Sequence, residues 1–284
     1  MEILLADEMG FCMGVRRAID LLDAALSEDR ERPPHMFGPL IHNPRLIDSY
    51  RKLGVHVVKE TNELGPGDRV LIRAHGISAA VRREIEATGA EIIDATCPKV
   101  AASMQRAARA EAEGRTVYLV GDPGHGEMEA VAGALSDPGG AIILPGPEAA
   151  ERVAPVARAT LIAQTTYESE GYEAVIAVLE TKVDDLQVYR SICPATRKRQ
   201  EAVRRLATSC DALIVVGGRN SANTQRLFEI AGVGGRPVWQ VEGVDDLPSG
   251  LDSYQRIGIS AGASTPDAAV AEVVDYLQTL GEGV

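Results

Sequence analysis

Short apolar runs rich in Val, Ile and Leu punctuate this chain, and most lead into a stretch of helical period. The first run, MEILLA, passes through GFC into GVRRAIDLLDAAL, where apolar positions recur every three or four residues. A loop FGPLIHN, a helix PRLIDSYRKLG and the strands VHVV and RVLIR follow. RVLIR ends in AHGIS and enters the helix AAVRREIEATG; the next strand, EIID, reaches Cys97. The same order then begins again. The helix PKVAASMQRAARAEAEG precedes TVYLV, GDPGHGE, MEAVAGAL, AIIL, ATLIA with QTTYES, and a helix through Val183, before QVYRSIC. A third copy reads PATRKRQEAVRRLA, ALIVV, GGRNSAN, TQRLFEIAG, PVWQV, RIGIS, AGAST and PDAAVAEVVDYLQTLG.

Apolar strands alternating with helices predict parallel sheets covered on both faces. The third copy lacks a last strand, and MEILLA is the spare one, so residues 1–11 are expected to complete the third sheet. The predicted fold class is α/β: three pseudo-three-fold-related domains (a trefoil) with mostly parallel sheets. Their expected bounds are 12–97, 98–193, and 194–284 with 1–11. The competing reading is one doubly wound domain whose βα units merely resemble each other. The cysteines weigh against it. Cys12, Cys97 and Cys193, spaced by 85 and 96 residues, each follow a strand-like run and open a helix-like one.

Composition narrows the class. Hydrophobic residues make up 45% and charged residues 25% of 284, as in an ordinary globular protein. The net charge of −12 argues against nucleic acid as a partner. No apolar run approaches the ~20 residues of a membrane helix, and the chain starts directly in a strand-like segment. No membrane association and a cytoplasmic location are therefore expected. Four cysteines in so long a chain argue against a disulfide framework.

One thiol from each copy points to a shared metal or cluster centre that lacks a fourth protein ligand. Structural zinc sites pair their cysteines closely, which nothing here does. A [4Fe–4S] cluster held by three cysteines keeps one iron open to substrate. A zinc-dependent hydrolase of a phosphorylated metabolite, and a non-catalytic iron–sulfur sensor, remain the alternatives. Cys97 and Cys193 precede proline, which places them as helix N-caps, where the thiolate is favoured. Cys210 precedes the strand ALIVV. A strand of that length spans ~17–20 Å, so Cys210 is expected on the far side of its sheet as a buried small hydrophobe.

Ligands of parallel sheets bind beyond the carboxyl ends of the strands. Two loop classes recur there besides the cysteine loops. One carries His42 and Asn43, then His125 and Glu127, then Ser221 and Asn223; the other carries His75, then Gln164, Thr165 and Thr166, then Ser264 and Thr265. Asn43, Ser78 and Thr265 read as helix N-caps. Helix N-termini lined by neutral donors suit a diphosphate. Glu127, two residues after His125, reads as a proton donor. No Walker A sequence and no GxGxxG is present.

The ordered set GFCMGVRRAI, HNP, RAHGIS, DATCP, GHGEMEA, QTT, CPATRKRQ, NSANTQRL and SAGAST resembles the LytB/IspH family. These are the 4-hydroxy-3-methylbut-2-enyl diphosphate reductases of the non-mevalonate isoprenoid pathway. The resemblance implies a trefoil around a central iron–sulfur cluster. It implies reductive dehydroxylation to isopentenyl and dimethylallyl diphosphate, with reduced ferredoxin or flavodoxin as electron donor. Cys12, Cys97 and Cys193 would hold a [4Fe–4S] cluster with one open iron. His42, His75, His125, Thr165, Ser221, Asn223 and Ser264 would bind the substrate, with Ala222 contributing its backbone N–H alone. Glu127, Thr165 and His125 would form the catalytic set. The family often has proline where Gly126 stands and NSSN where this chain has NSAN; Gly126 is expected to loosen the loop carrying Glu127.

Overall fold

The computed structural model describes residues 1–41 and 43–282. It contains three four-stranded sheets, and every strand pairing in them is parallel. By compactness the chain divides into two units. One is built from Met1–Val15, the short segment ending at Leu46, and the chain from Pro194 onward; the other is built from Arg16–Ile41 and Ile47–Cys193.

The larger unit holds two sheets. In one, Val57–Val58, His35–Phe37, Arg69–Ile72 and Glu91–Asp94 lie side by side in that order. In the other the order is Ala141–Leu144, Thr116–Val120, Val156–Ala163, Val183–Tyr189. Numbered along the chain, both sheets run second, first, third, fourth. The smaller unit has the same order: Val238–Val241, Ala212–Val216, Arg256–Ala261, and then Glu2–Leu5 in the fourth place. Ile3 stands opposite Ile257 and Leu5 opposite Ile259 in that last pairing.

Burial explains why these strands read as unbroken apolar runs. In the sheet around Thr116–Val120, Tyr118, Leu161 and Ala163 pack with Tyr172, Val175 and Leu179 on one face; Val117, Leu119 and Ile162 pack with Ala107, Met128 and Val131 on the other. In the smaller unit, Leu213 and Val215 face Val203, Leu206 and Leu227, while Ile214, Val216 and Ile259 face Val270, Val273 and Leu277. No described helix is long and apolar enough to cross a membrane.

Three local expectations are corrected. Phe37 belongs to a strand, His35–Phe37, and not to a loop; three residues are too few to show a period. Val183 opens the strand Val183–Tyr189, whereas the preceding helix ends at Glu180. Thr265 does not cap a helix through its hydroxyl, which donates to Val216 O at 3.0 Å; the helix starts at Asp267.

Candidate active site

Where the first and third strands lie side by side, the chain leaves them in opposite directions along the sheet. That switch point opens a crevice at the carboxyl ends. In the sheet around Thr116–Val120, the two loops there are joined by Gln164, which is fully buried. Its N–H donates to Val120 O at 2.7 Å, its Oε1 accepts from Asp122 N–H at 2.9 Å, and its Nε2 donates to Thr166 Oγ1 at 2.8 Å. A Cβ on Gly121 would stand 2.6 Å from Gln164 Oε1, so glycine is required for this staple.

Beyond Gln164, Thr165 meets Glu127. The carboxylate accepts from Thr165 N–H at Oε1 and from Thr165 Oγ1–H at Oε2, both at 2.7 Å. Glu127 is only 1% exposed. Burial pushes its carboxyl up from 4.5 to about 7, against the two threonine bonds that favour the charged form. Once protonated, Oε2 donates to Thr165 Oγ1, and the threonine proton is free to point elsewhere. Such a pair can pass a proton in two steps near neutral pH.

His125 caps the helix Gly126–Ala132, its Nδ1 accepting from Glu127 N–H at 3.1 Å. That bond puts the proton of the neutral ring on Nε2. The His75 ring stands edge-on to it, with centroids 5.0 Å apart. Gly126 stands at a close approach in this loop. A Cβ there would lie 2.5 Å from Arg73 Nη2, so the glycine makes room for a guanidinium packed against the helix start. Burial lowers the affinity of Arg73 for its proton, and the nearby Glu129 carboxylate partly restores it. Arg73 was not singled out from sequence, where it reads as the end of a strand.

In the smaller unit, Ser221 caps the helix Ala222–Gly232 by accepting from Thr224 N–H at 3.3 Å. Ser264 Oγ–H reaches Ser221 Oγ at 3.5 Å. Asn223 is 4% exposed, and neither its Oδ1 nor its Nδ2 has a partner. A buried carboxamide left unpaired on both sides is costly, which makes Asn223 a candidate to meet a ligand. The free N–H groups of the helix start lie beside it. Ala222 is also buried and has only its backbone to offer. His42 lies outside the described residues.

The cysteines repeat one contact. Cys12 N–H donates to Ala263 O at 3.0 Å, Cys97 N–H to Ala74 O at 2.9 Å, and Cys193 N–H to Thr165 O at 2.9 Å. Each thus joins the loop after the fourth strand of a sheet to the loop after its third. None of these three cysteines is in a disulfide, and all three are half-buried. Cys97 is the N-cap of Pro98–Ala112 with proline at the first helical position, and Cys12 Sγ accepts from Val15 N–H at 3.4 Å. Three thiols in equivalent settings fit the soft donor set of an iron–sulfur group. Among the described residues, no three His, Cys, Asp or Glu side chains gather as ligands of a single ion. Cys210 is buried among Leu206, Leu213 and Gly258 at the amino end of its sheet, where desolvation raises its thiol. Cys210→Ser is expected to leave the iron content of anaerobically purified protein unchanged; loss of one iron per chain would contradict this placement.

The family model described as LytB protein matches residues 3–278. The chain belongs to the LytB family. A Treponema denticola member named 4-hydroxy-3-methylbut-2-enyl diphosphate reductase is 40% identical over 285 residues, spanning 96% of this chain and 98% of its own. A Nitratidesulfovibrio vulgaris member of the same name is 39% identical, over 99% of this chain and 100% of its own. The solved E-1-hydroxy-2-methyl-but-2-enyl-4-diphosphate reductase of Plasmodium falciparum superposes with a TM-score of 0.92 at 26% identity, covering 98% of this LytB chain and 88% of its own. A second solved reductase, titled as the terminal enzyme of the non-mevalonate pathway, has a TM-score of 0.70 at 34% identity, covering 98% and 100%. These relatives are oxidoreductases by name.

Proposed function

We propose that this LytB protein reduces 4-hydroxy-3-methylbut-2-enyl diphosphate to isopentenyl and dimethylallyl diphosphate. Two electrons and two protons are consumed, the allylic C–O bond breaks, and the hydroxyl leaves as water. The observation that carries the reading is the buried Glu127 carboxyl, pushed up to about 7 and bonded to Thr165 through both oxygens. Reduction of an alcohol to a hydrocarbon needs such an acid, because hydroxide is a poor leaving group.

Cys12, Cys97 and Cys193 would hold the [4Fe–4S] cluster, which when bound supplies electrons one at a time and an open iron. The electron donor would be reduced ferredoxin or flavodoxin. Glu127 holds the proton and passes it through Thr165 Oγ1 to the leaving oxygen. His125 presents Nε2–H to a phosphate oxygen, as does His75 from its own loop; His42 is assigned the same role. Ser221, Asn223 and Ser264 supply neutral donors to phosphate, and the N–H of Ala222 adds one more. The buried setting of Glu127 keeps bulk water from competing for its proton.

Turnover of the hydroxymethylbutenyl diphosphate by anaerobically purified protein with a chemical reductant tests the reading. A colourless zinc protein, or tight diphosphate binding without turnover, would overturn it. Asn223→Ala is expected to raise KM roughly 10- to 100-fold at nearly constant kcat, since the carboxamide binds a group distant from the reacting carbon. Steady-state kinetics checks this; an unchanged KM would remove Asn223 from the phosphate donors.

A further inference from the structure

Arg199 has the largest fully buried side chain among the described residues, at 2% exposure. It lies on the helix Pro194–Ala207, which begins directly after Cys193. Its Nη2 donates to Gly10 O at 2.8 Å and its Nη1 to Ala195 O at 3.0 Å. Its Nε is buried with no partner. The carboxylate paired with it, Glu8, stands 3.6 Å away and is itself 39% exposed. A guanidinium cannot shed its proton. Burying it against one partly solvated anion and two carbonyls leaves the charge poorly compensated, at a cost in stability. Arg69 and Arg115 are also buried, but the Nε of each has a polar partner; the Arg205–Asp7 pair keeps both side chains in water.

The place of the cation gives the reason. Gly10 has φ +74°, a left-handed turn, and a Cβ on it would sit 2.8 Å from Asp267 Oδ1. Arg199 therefore grips the carbonyl of the turn that delivers Cys12. Two residues span at most about 7 Å, so the guanidinium lies within about 10 Å of Cys12. A cubane core with two positive charges held by three thiolates is a net anion, and each electron it accepts adds a negative charge. We infer that Arg199 is a positioning residue that seats the Cys12 loop and supplies the buried positive charge that favours the reduced form of the iron–sulfur group. This rests on the reading of Cys12, Cys97 and Cys193 as cluster ligands.

One unit charge at about 10 Å and an effective dielectric of ~20 shifts such an equilibrium roughly tenfold. For one electron, tenfold is about 59 mV. The test is an anaerobic redox titration of reconstituted protein, followed by the spin signal of the reduced cluster, with iron and sulfide assayed beside it. Arg199→Met is expected to lower the reduced-to-oxidised ratio roughly tenfold at a fixed potential. Arg199→Lys, which keeps the charge, restores it to within about threefold of the wild type. Glu8→Gln, which removes the counter-charge, moves it the opposite way. A purely structural Arg199 would lower cluster content in both Arg199 variants and leave the potential of the loaded fraction unmoved. If Arg199→Met does not load, the Lys and Glu8→Gln variants decide, because only a charge effect gives Glu8→Gln a shift toward reduction. Wild-type protein that takes up no iron and sulfide would overturn the cysteine assignment itself. Wild-type protein that titrates, with all loaded variants at its potential, would overturn the role of Arg199 alone.

Discussion

Replacing Glu127 by glutamine is expected to slow turnover by about 10²- to 10⁴-fold, the usual worth of a positioned acid. The substitution spares the fold for a specific reason. Glutamine Oε1 still accepts from Thr165 N–H, and its Nε2 donates to Thr165 Oγ1, so both 2.7 Å bonds of the carboxylate have successors. The proton is what is lost. KM for the diphosphate should change little, because Glu127 faces the threonine and not the phosphate donors. Turnover at the wild-type rate would remove Glu127 from the mechanism.

The same group carries a pH signature. Its carboxyl titrates near 4.5 when unfolded and about 7 when folded, because burial disfavours the charge. Between these values the native state holds a proton that the unfolded state has released. This contribution to stability is fully present below 4.5 and is lost as pH rises through about 7. Denaturant titrations of the wild type and Glu127→Gln across this window should show the wild type losing stability relative to the variant with rising pH. Parallel curves would mean that the buried carboxyl is ionised throughout. In activity, kcat/KM should decline above about 7 as the acid form disappears.

Cys193→Ser is expected to abolish turnover and deplete both iron and sulfide while the protein stays folded. A serine hydroxyl is a hard donor, poorly matched to an iron–sulfur group. The main-chain bond from residue 193 to Thr165 O does not involve the side chain and survives the exchange. The loop therefore remains in place, and the loss falls on the ligand alone. Metal and sulfide analysis beside circular dichroism checks this. Full cluster content in the variant would mean that Cys193 is not a ligand. Set against Cys210→Ser, the result separates the cysteine beyond the carboxyl end of one sheet from the one at the amino end of another.

Much of this was legible in the chain itself. Apolar strands buried on both faces declare themselves by composition, so ALIVV and TVYLV needed no neighbours to be recognised. The spare MEILLA marked a place left open by the third copy. The matching points of the three cysteines were visible too, because a repeat preserves the position of a loop relative to its strand, and each makes the same main-chain bond. Cys210 could be set apart by strand length alone.

What the sequence determined was the kind of element at each point and the sheet end to which each loop belongs. Local periodicity carries that information. Only the tertiary structure decided which distant groups meet. Glu127 and Thr165 are 38 residues apart, and they pair because the first and third strands become neighbours. Gln164 reaches Asp122 for the same reason. Arg199 reads as one more cation in TRKR, and only burial against Gly10, 189 residues away in sequence, distinguishes it. The raised carboxyl of Glu127 has the same origin: an acid's strength depends on the water removed from around it, and that is a property of the packed fold.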